Sequence, residues 1–491
     1  MRGSGVLFPI FSLPSAYGIG CFSQEAYDFI DFLKKAGQTY WEILPLGPTG
    51  FGDSPYQPVS SFAGNPYFIS PDGLIEEGLL TKEEAEAYSF GDDIHKIDYG
   101  ALYNYRYPML KQAFARFKPD ADYRKFVNKE AYWLKDYARF MTLKNLEEGK
   151  SWQDWPAAYK KRTPAAMKKI ETEYKEQIDF YSFLQYMFQK QWTKLRAYAK
   201  ENGIRIIGDL PFYMGLDSAD VWAHPESFKM KRDLTPRYIA GCPPDQIWGN
   251  PVYNWTAMAK NHYDWWMSRI ARNYELYDVI RLDHFHGFSD YYQIPADAES
   301  AEEGKWMAGP RMKFFTELQD TLGDVPMIAE DLGTITKTNA KLLKESGLPG
   351  MMILQYAFTG WNEDSFYLPY KHIRNCVVYT GNHDNPTAAE WIETINDHDR
   401  DYVRRYIHSE NTNTGGFVWD FIREAYRSVA DTIIVPLQDY LVKGEEARIN
   451  QPGTSQGNWQ WRLEPNFLSD ELADSMYQLS KLYGRLPAVD E

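Results

Sequence analysis

Apolar residues along this chain follow two alternating rhythms. After Ser23, a cap residue, Ala26, Phe29, Ile30 and Leu33 recur at helical spacing and Gly37 supplies a stop, which predicts a short amphipathic helix. Thr39 to Leu46 is a compact apolar run entering a Gly/Pro loop and predicts a buried strand. The loop from Gly47 to Asn65, with Gly52-Asp53-Ser54-Pro55-Tyr56-Gln57, is too rich in turn formers for regular structure, and Pro66 to Pro71 reads as a second strand. Then the rhythm changes. Leu102, Met109, Leu110, Ala113, Phe114 and Phe117 keep a helical face, with Pro108 at a kink, and Ile178, Tyr181, Leu184, Met187, Leu195 and Tyr198 belong to a long helix that Gly203 ends. Residues 72–203 therefore read as a helical subdomain inserted between strands.

Beyond Gly203 the order strand, loop, helix returns. Ile204 to Pro211, Asp278 to Asp283, Pro326 to Asp331, Gly350 to Phe358, Cys376 to Thr380 and Thr432 to Leu437 read as strands. Lys313 to Leu322 and Thr336 to Ser346 read as helices closed by Gly323 and Gly347. Counted from Thr39 this gives eight strands and predicts an α/β fold, a closed (β/α)8 TIM barrel with large, mainly helical insertions. Such a barrel takes about 250 residues, so roughly half of the chain is left for insertions. The reading is one catalytic domain over 1–491, with residues 215–275 as a second, smaller insertion. A doubly wound open sheet is the alternative. Neither GxGxxG after an early strand nor GxxxxGK[ST] occurs, so a nucleotide site on such a sheet has no support.

Charge narrows the partners. Among 491 residues, 53 Lys and Arg face 68 Asp and Glu, a formal net charge of -15 that repels polyanions and argues against nucleic acid. The 16 Trp and 36 Tyr supply amphipathic rings that suit carbohydrate as well as core packing. Cys21, Cys242 and Cys376 form no CxxC, so neither a disulfide framework nor a zinc site is expected, and reduced thiols point to a cytoplasmic protein. The apolar run from Val6 to Phe11 is interrupted by Pro9, has only Arg2 before it, and lacks a clear cleavage site after it, so export is not expected. No stretch reaches the ~20 apolar residues of a membrane span.

The acids supply the chemistry. Asp209, Asp283 and Glu330 end predicted strands, and Asp384 follows the one ending near Thr380. An Asp beside an Arg at one strand end is most often a structural ion pair. Four carboxylates on the C-terminal side of barrel strands instead mark an active site. Paired carboxylates cleave glycosidic bonds, one attacking the anomeric carbon and the other protonating the leaving oxygen. Arg281, two residues before Asp283 and on the same strand face, would help keep that carboxylate ionised. Glu330, with carboxylates around it, is the better candidate for the acid. His284 and His383 read either as donors to sugar hydroxyls or as satisfied structural histidines. No HExxH-like spacing is present, so no metal is assigned, and no cofactor motif appears.

These residues also carry a resemblance. Gly208-Asp209-Leu210-Pro211, Arg281-Leu282-Asp283-His284-Phe285, Ala329-Glu330-Asp331-Leu332-Gly333 and Gly381-Asn382-His383-Asp384-Asn385 resemble the four ordered regions of the α-amylase superfamily. Leu44-Pro45-Leu46-Gly47-Pro48, Asp53-Ser54-Pro55-Tyr56-Gln57, Trp248-Gly249-Asn250-Pro251, Arg448-Ile449-Asn450-Gln451-Pro452-Gly453-Thr454 and Gly457-Asn458-Trp459-Gln460-Trp461-Arg462 resemble its 4-α-glucanotransferase branch, glycoside hydrolase family 77. The resemblance implies transfer of an α-1,4-glucan segment to the 4-hydroxyl of another glucan or of glucose. In it Asp283 would be the nucleophile, Glu330 the general acid/base and Asp384 the transition-state stabiliser. Asp209, Arg281, His284 and His383 would line the same subsite, Tyr56 and Trp248 would stack on sugar rings, and Asn250 and Asn450 would complete the substrate-binding set. A retaining mechanism would place the carboxyls of Asp283 and Glu330 about 5 to 5.5 Å apart. No cofactor is implied. An amylase-type hydrolase and a non-catalytic glucan-binding barrel are the competing readings.

The chain also departs from this family. His286 stands where many members have Arg, and Asn382 and Pro386 replace a commoner Thr and Asp. Between Gly241-Cys242-Pro243-Pro244-Asp245 and Gln246 the chain lacks several residues that members commonly insert, so the loop is expected to cover less of a glucan groove.

Overall fold

A computed structural model describes residues 2–487 except Phe51, Thr334, Ile335 and Ser455. Twelve strands are formed among them: β1 Gly3–Leu7, β2 Tyr40–Glu42, β3 Arg205–Leu210, β4 Tyr238–Cys242, β5 Gln246–Pro251, β6 Val279–Leu282, β7 Asp290–Pro295, β8 Lys305–Ala308, β9 Met327–Ala329, β10 Gly350–Ile353, β11 Cys376–Tyr379 and β12 Thr432–Pro436. Eight close into a parallel barrel in the order β1-β12-β11-β10-β9-β6-β3-β2. Its strands are short apolar runs because both faces are covered, by helices outside and by other strands' side chains inside. Leu7, Ile207, Val279, Ile328, Met351, Ile353, Val377, Tyr379 and Ile434 form the inner cluster.

The expected barrel is therefore present, with one strand differently sourced. Pro66 to Pro71 is not a strand. Asn65 caps a 3-10 turn at Pro66–Phe68 by accepting from Tyr67 N, and Ser70 caps the helix Pro71–Glu76 by accepting from Gly73 N. Two prolines that cannot donate and two capping side chains favour helix starts over a ladder. The eighth strand is β1, which Pro9 bounds. β1 lies so close to β2 that a Cβ on Gly5 would sit 2.5 Å from the Tyr40 Cβ and 2.8 Å from Ile434 Cδ1. Glycine is needed there for close approach of the backbones. β10 also stops earlier than expected, at Ile353, and Leu354–Ala357 is a helical turn.

Register carries the acids to the mouth. Asp209 on β3 pairs with Arg281 on β6, and Leu282 on β6 pairs with Ala329 on β9. Asp283 and Glu330 are each the next residue, so they leave adjacent strands side by side.

Between β2 and β3 the chain runs through helices that include Tyr99–Arg116, Ala131–Leu146 and Lys175–Glu201. Pro108 lies inside the first of these without ending it. A second, antiparallel sheet, β5-β4-β7-β8, was not anticipated from the sequence. β4 and β5 are partly exposed, and Gly241, Gly249 and Pro251 interrupt any alternation that would announce them, while β7 is buried from Tyr291 to Ile294. β4 and β5 form a hairpin whose connection is only Pro243-Pro244-Asp245, with Cys242 facing Gln246. Among the described residues no helix is long and apolar enough to cross a membrane.

Candidate active site

The site is built around one guanidinium. Arg281 projects from β6 into the barrel and is buried. Its Nη1 donates to Asp209 Oδ2 at 2.6 Å and lies 3.4 Å from Asp283 Oδ1. The expected pairing with Asp283 is thus present but secondary, and Asp209 is the closer partner. The Tyr56 hydroxyl, from the loop after β2, donates to the same Asp209 oxygen at 2.7 Å. Asp283 Oδ2 accepts from Phe212 N at 3.3 Å.

Glu330 faces the cluster from the end of β9. His284 N donates to its Oε2 at 2.7 Å and Leu332 N to its Oε1 at 3.1 Å. His284 adopts a left-handed φ of 47°. Such a conformation costs a non-glycine residue about 1 kcal/mol or more, and here it accompanies an amide aimed at the carboxyl. Burial pushes Glu330 up to about 8; Arg281 pulls it down, and the charge of Asp283 pushes it up further. Burial likewise raises Asp209 to about 7 against the pull of Arg281. A single guanidinium cannot keep every carboxyl around it ionised, so some protons stay at neutral pH.

Asp384 stands opposite, on the loop after β11, and its side chain is 38% exposed. Asn450 Nδ2 donates to Asp384 Oδ1 at 2.6 Å, and Asn382 Oδ1 accepts from Asp384 N at 2.9 Å. Asn385 Oδ1 in turn accepts from Asn382 N at 2.9 Å. Asn382, a departure from the family pattern, is thus part of the turn that presents the acid. His383 Nε2 lies 3.5 Å from Asp384 Oδ2, and its ring stacks on Tyr56 with centroids 5.0 Å apart. Burial lowers His383, and it lowers His284 to about 4, so both rings are neutral near pH 7 and can hydrogen-bond without adding charge.

Trp248 on β5 meets the His284 ring edge-on at 5.2 Å. Asn250 exchanges hydrogen bonds with Gln57, at 3.0 and 2.9 Å, and donates to Met214 O at 2.8 Å, so it ties the loop after β2 to β5. Of the sequence-named residues, Asp209, Arg281, Asp283, Tyr56, Glu330 and His284 form one connected group. Asp384, His383 and Asn450 form a second that meets it through Tyr56, and Asn250 stands behind both as a brace. His286, another departure, points away: its Nδ1 contacts Asn339 Nδ2 and its Nε2 lies 3.4 Å from Asp331 O.

Sequence reasoning missed Glu42. It ends β2 inside the barrel, buried, and its Oε2 accepts from the Tyr379 hydroxyl at 2.8 Å. Burial raises it to about 7, with Arg281 and Tyr379 opposing. A lone carboxylate in the apolar run Trp41-Glu42-Ile43-Leu44 was the available signal, since a buried acid needs a partner.

A parallel barrel that gathers carboxyl groups and one arginine beyond its strand ends has the architecture of an enzyme acting on glycosidic bonds. Residues 8–469 match the family model described as 4-alpha-glucanotransferase, glycoside hydrolase family 77. The chain is 44% identical to the 4-alpha-glucanotransferase of Clostridium butyricum over 97% of its own length and 99% of the relative's. It is 41% identical to that of Thermus thermophilus over 99% of both. A solved structure, amylomaltase from Streptococcus agalactiae in complex with acarbose, superposes with a TM-score of 0.96 at 38% identity, covering 99% of this chain and all of that one. The chain belongs to glycoside hydrolase family 77 and is a glucanotransferase of that family.

Proposed function

We propose that this 4-α-glucanotransferase moves a segment of an α-1,4-glucan onto the 4-hydroxyl of another glucan or of glucose by double displacement with retention. Glu330 gives its proton to the leaving glycosidic oxygen as a carboxylate oxygen of Asp283 bonds to the anomeric carbon. The Glu330 carboxylate then takes the proton of the incoming 4-hydroxyl as that oxygen attacks the same carbon and expels Asp283. Asp384, held by Asn450, would stabilise the positive charge that develops on the ring. Asp209, Arg281 and the neutral His284 and His383 would fix the sugar at the cleaved bond, with Tyr56 and Trp248 offering ring faces.

The observation that carries this reading is the contrast at the ends of β6 and β9. Asp283 lies 3.4 Å from the Arg281 guanidinium and accepts from the Phe212 amide, whereas burial favours the protonated form of Glu330 despite its two amide donors and the pull of Arg281. An acid and a nucleophile need that difference. Transfer over hydrolysis is supported by family membership, and the short β4–β5 connection supports a groove less covered than is common there. We place residues 72–203 as a helical subdomain of a cytoplasmic enzyme. Incubation with maltotriose tests the activity. Glucose plus longer oligomers at constant reducing ends is expected; reducing ends that rise with time would make the protein a hydrolase.

A further inference from the structure

Arg269 is a second buried guanidinium beside the mouth. It lies on the helix Asp264–Leu276 and is fully buried, with the Trp265 and Trp266 rings over it at 5.3 and 4.6 Å. Aromatic faces suit a cation that has left water. Its hydrogen-bond partners are all neutral. Nη1 donates to Phe212 O at 3.0 Å and to the Tyr253 hydroxyl at 3.2 Å, and Nη2 donates to Pro211 O. Among the described residues no carboxylate hydrogen-bonds to it. A buried charge without a direct counter-charge is costly, so the path of its field matters.

That path leads to Asp283. Pro211 O and Phe212 N belong to one peptide unit, and a planar trans peptide points its carbonyl and its N–H in opposite directions. The peptide dipole therefore has the Arg269 guanidinium at its carbonyl end and Asp283 Oδ2, 3.3 Å from Phe212 N, at its other end. A cation on the carbonyl polarises the unit and strengthens its N–H as a donor. Asp283 N also donates to Leu210 O at 3.1 Å, so the same short segment after β3 grips Asp283 by backbone and side chain. Arg281 lies 3.4 Å from the other oxygen, Oδ1. Burial works against the charge of Arg269, and Asp220 and Asp283 are among the groups that favour it.

We propose that Arg269 is a positioning residue for the transfer reaction: through the Pro211–Phe212 peptide it holds Asp283 Oδ2 and fixes the plane of the attacking carboxylate. The inference rests on the assignment of Asp283 as nucleophile made above. Tyr253 supplies a control. Its hydroxyl donates to Phe212 O at 2.5 Å, which belongs to the next peptide, so it anchors the same loop without bonding to the unit that carries the Phe212 N–H.

The test compares Arg269→Met, Tyr253→Phe and a protein with phenyllactate in place of Phe212, whose ester has no N–H. Turnover of maltotriose gives kcat and KM. Labelling with a maltosyl fluoride that carries a second fluorine on the ring isolates the first step, in which an Asp283 oxygen bonds to the anomeric carbon as fluoride leaves without a proton from Glu330. Arg269→Met and the ester are each expected to lower kcat and the labelling rate about 30-fold with KM within about twofold of the parent, and Tyr253→Phe to lower kcat less than about threefold. Combined, Arg269→Met and the ester should lose little more than either alone, because both weaken one bond. Equal losses in Arg269→Met and Tyr253→Phe, or losses that multiply in the combined protein, overturn the proposal and leave Arg269 an anchor of the loop. Thermal melts show whether Arg269→Met folds; if it does not, Arg269→Gln takes its place under the same criteria. A label on Asp283 formed at the parent rate in Arg269→Met discards only the role of Arg269, whereas a label on another residue in the parent protein discards the nucleophile assignment.

Discussion

The deep half of the mouth and its rim hold their carboxylates in opposite ways. Asp209 is buried within the barrel, its charge met by the Arg281 guanidinium at 2.6 Å and by the Tyr56 hydroxyl at 2.7 Å. Asp384 is part-exposed and held by neutral groups, Asn450 Nδ2 on its carboxylate and Asn382 Oδ1 on its amide. Deep acids are coupled to stability because removing one strands another buried charge. Rim acids can be altered at little cost to the fold. The proposed mechanism uses both, and the difference predicts which substitutions harm rate alone.

Asp283 lies where the halves meet, and its substitution gives the largest effect. Asp283→Asn keeps size and shape but removes the proposed nucleophile, so turnover of maltotriose should fall about 10,000-fold with only a small change in thermal midpoint. A residual rate within tenfold of the parent would dissolve the assignment. Next comes Asp209→Ala. Breaking a buried pair by removing one partner costs about 3–5 kcal/mol, so chemical denaturation should show a loss of that size. A loss below about 1 kcal/mol would mean that Arg281 is satisfied by Asp283 alone, and the deep half would then resemble the rim.

The pH profile probes the same contrast. In the proposed mechanism Glu330 must be protonated to act, and burial raises it to about 8, so kcat/KM should fall as pH rises through about 8, by tenfold per unit beyond it. Because the buried acids titrate together, that limb belongs to the cluster. A limb near the ordinary glutamate range, about 4.3, would contradict the burial argument. Glu42 extends it to stability. Its folded value of about 7 exceeds the unfolded value of about 4.3, so the stability gained from the protonated form is complete below the unfolded value and is lost as pH rises through 7. Glu42→Gln removes that dependence. The variant should match the parent near pH 4 and exceed it by on the order of 1–3 kcal/mol at pH 8. Equal stability at both pH values would place Glu42 outside the cluster.

Much of this is legible in the sequence. Acids at the ends of apolar runs mark β3, β6 and β9, because a strand buried on both faces is mostly apolar until it nears the mouth. The barrel has the expected eight strands, with β1 at Gly3–Leu7 in place of the strand expected at Pro66 to Pro71. Prolines at a helix start and at a strand end look alike in a linear pattern; the caps of Asn65 and Ser70 and the close approach of Gly5 to Tyr40 distinguish them. The β5-β4-β7-β8 sheet is silent because Gly241, Gly249 and Pro251 break the alternation of β4 and β5, and β7 buries Tyr291 to Ile294 in succession and so shows none. Glu42 was passed over because its role depends on Tyr379 and Arg281, which come from distant parts of the chain.

Asn450 gives the smallest effect and the sharpest test of the rim. Its amide donates to Asp384 at 2.6 Å from the segment after β12, so it orients the carboxylate without carrying charge. A hydrogen bond to a charged group is worth about 1.5–3 kcal/mol when fully realised, and partial exposure of Asp384 lets water replace part of that. Asn450→Ala should therefore lower kcat about five- to tenfold and leave KM and the thermal midpoint nearly unchanged. Asn450→Asp, which sets a like charge beside Asp384, should lower it further. If Asn450→Ala instead raised KM alone, the amide would serve ground-state binding, and the orientation of Asp384 would have to come from Asn382 and the turn that Asn385 closes.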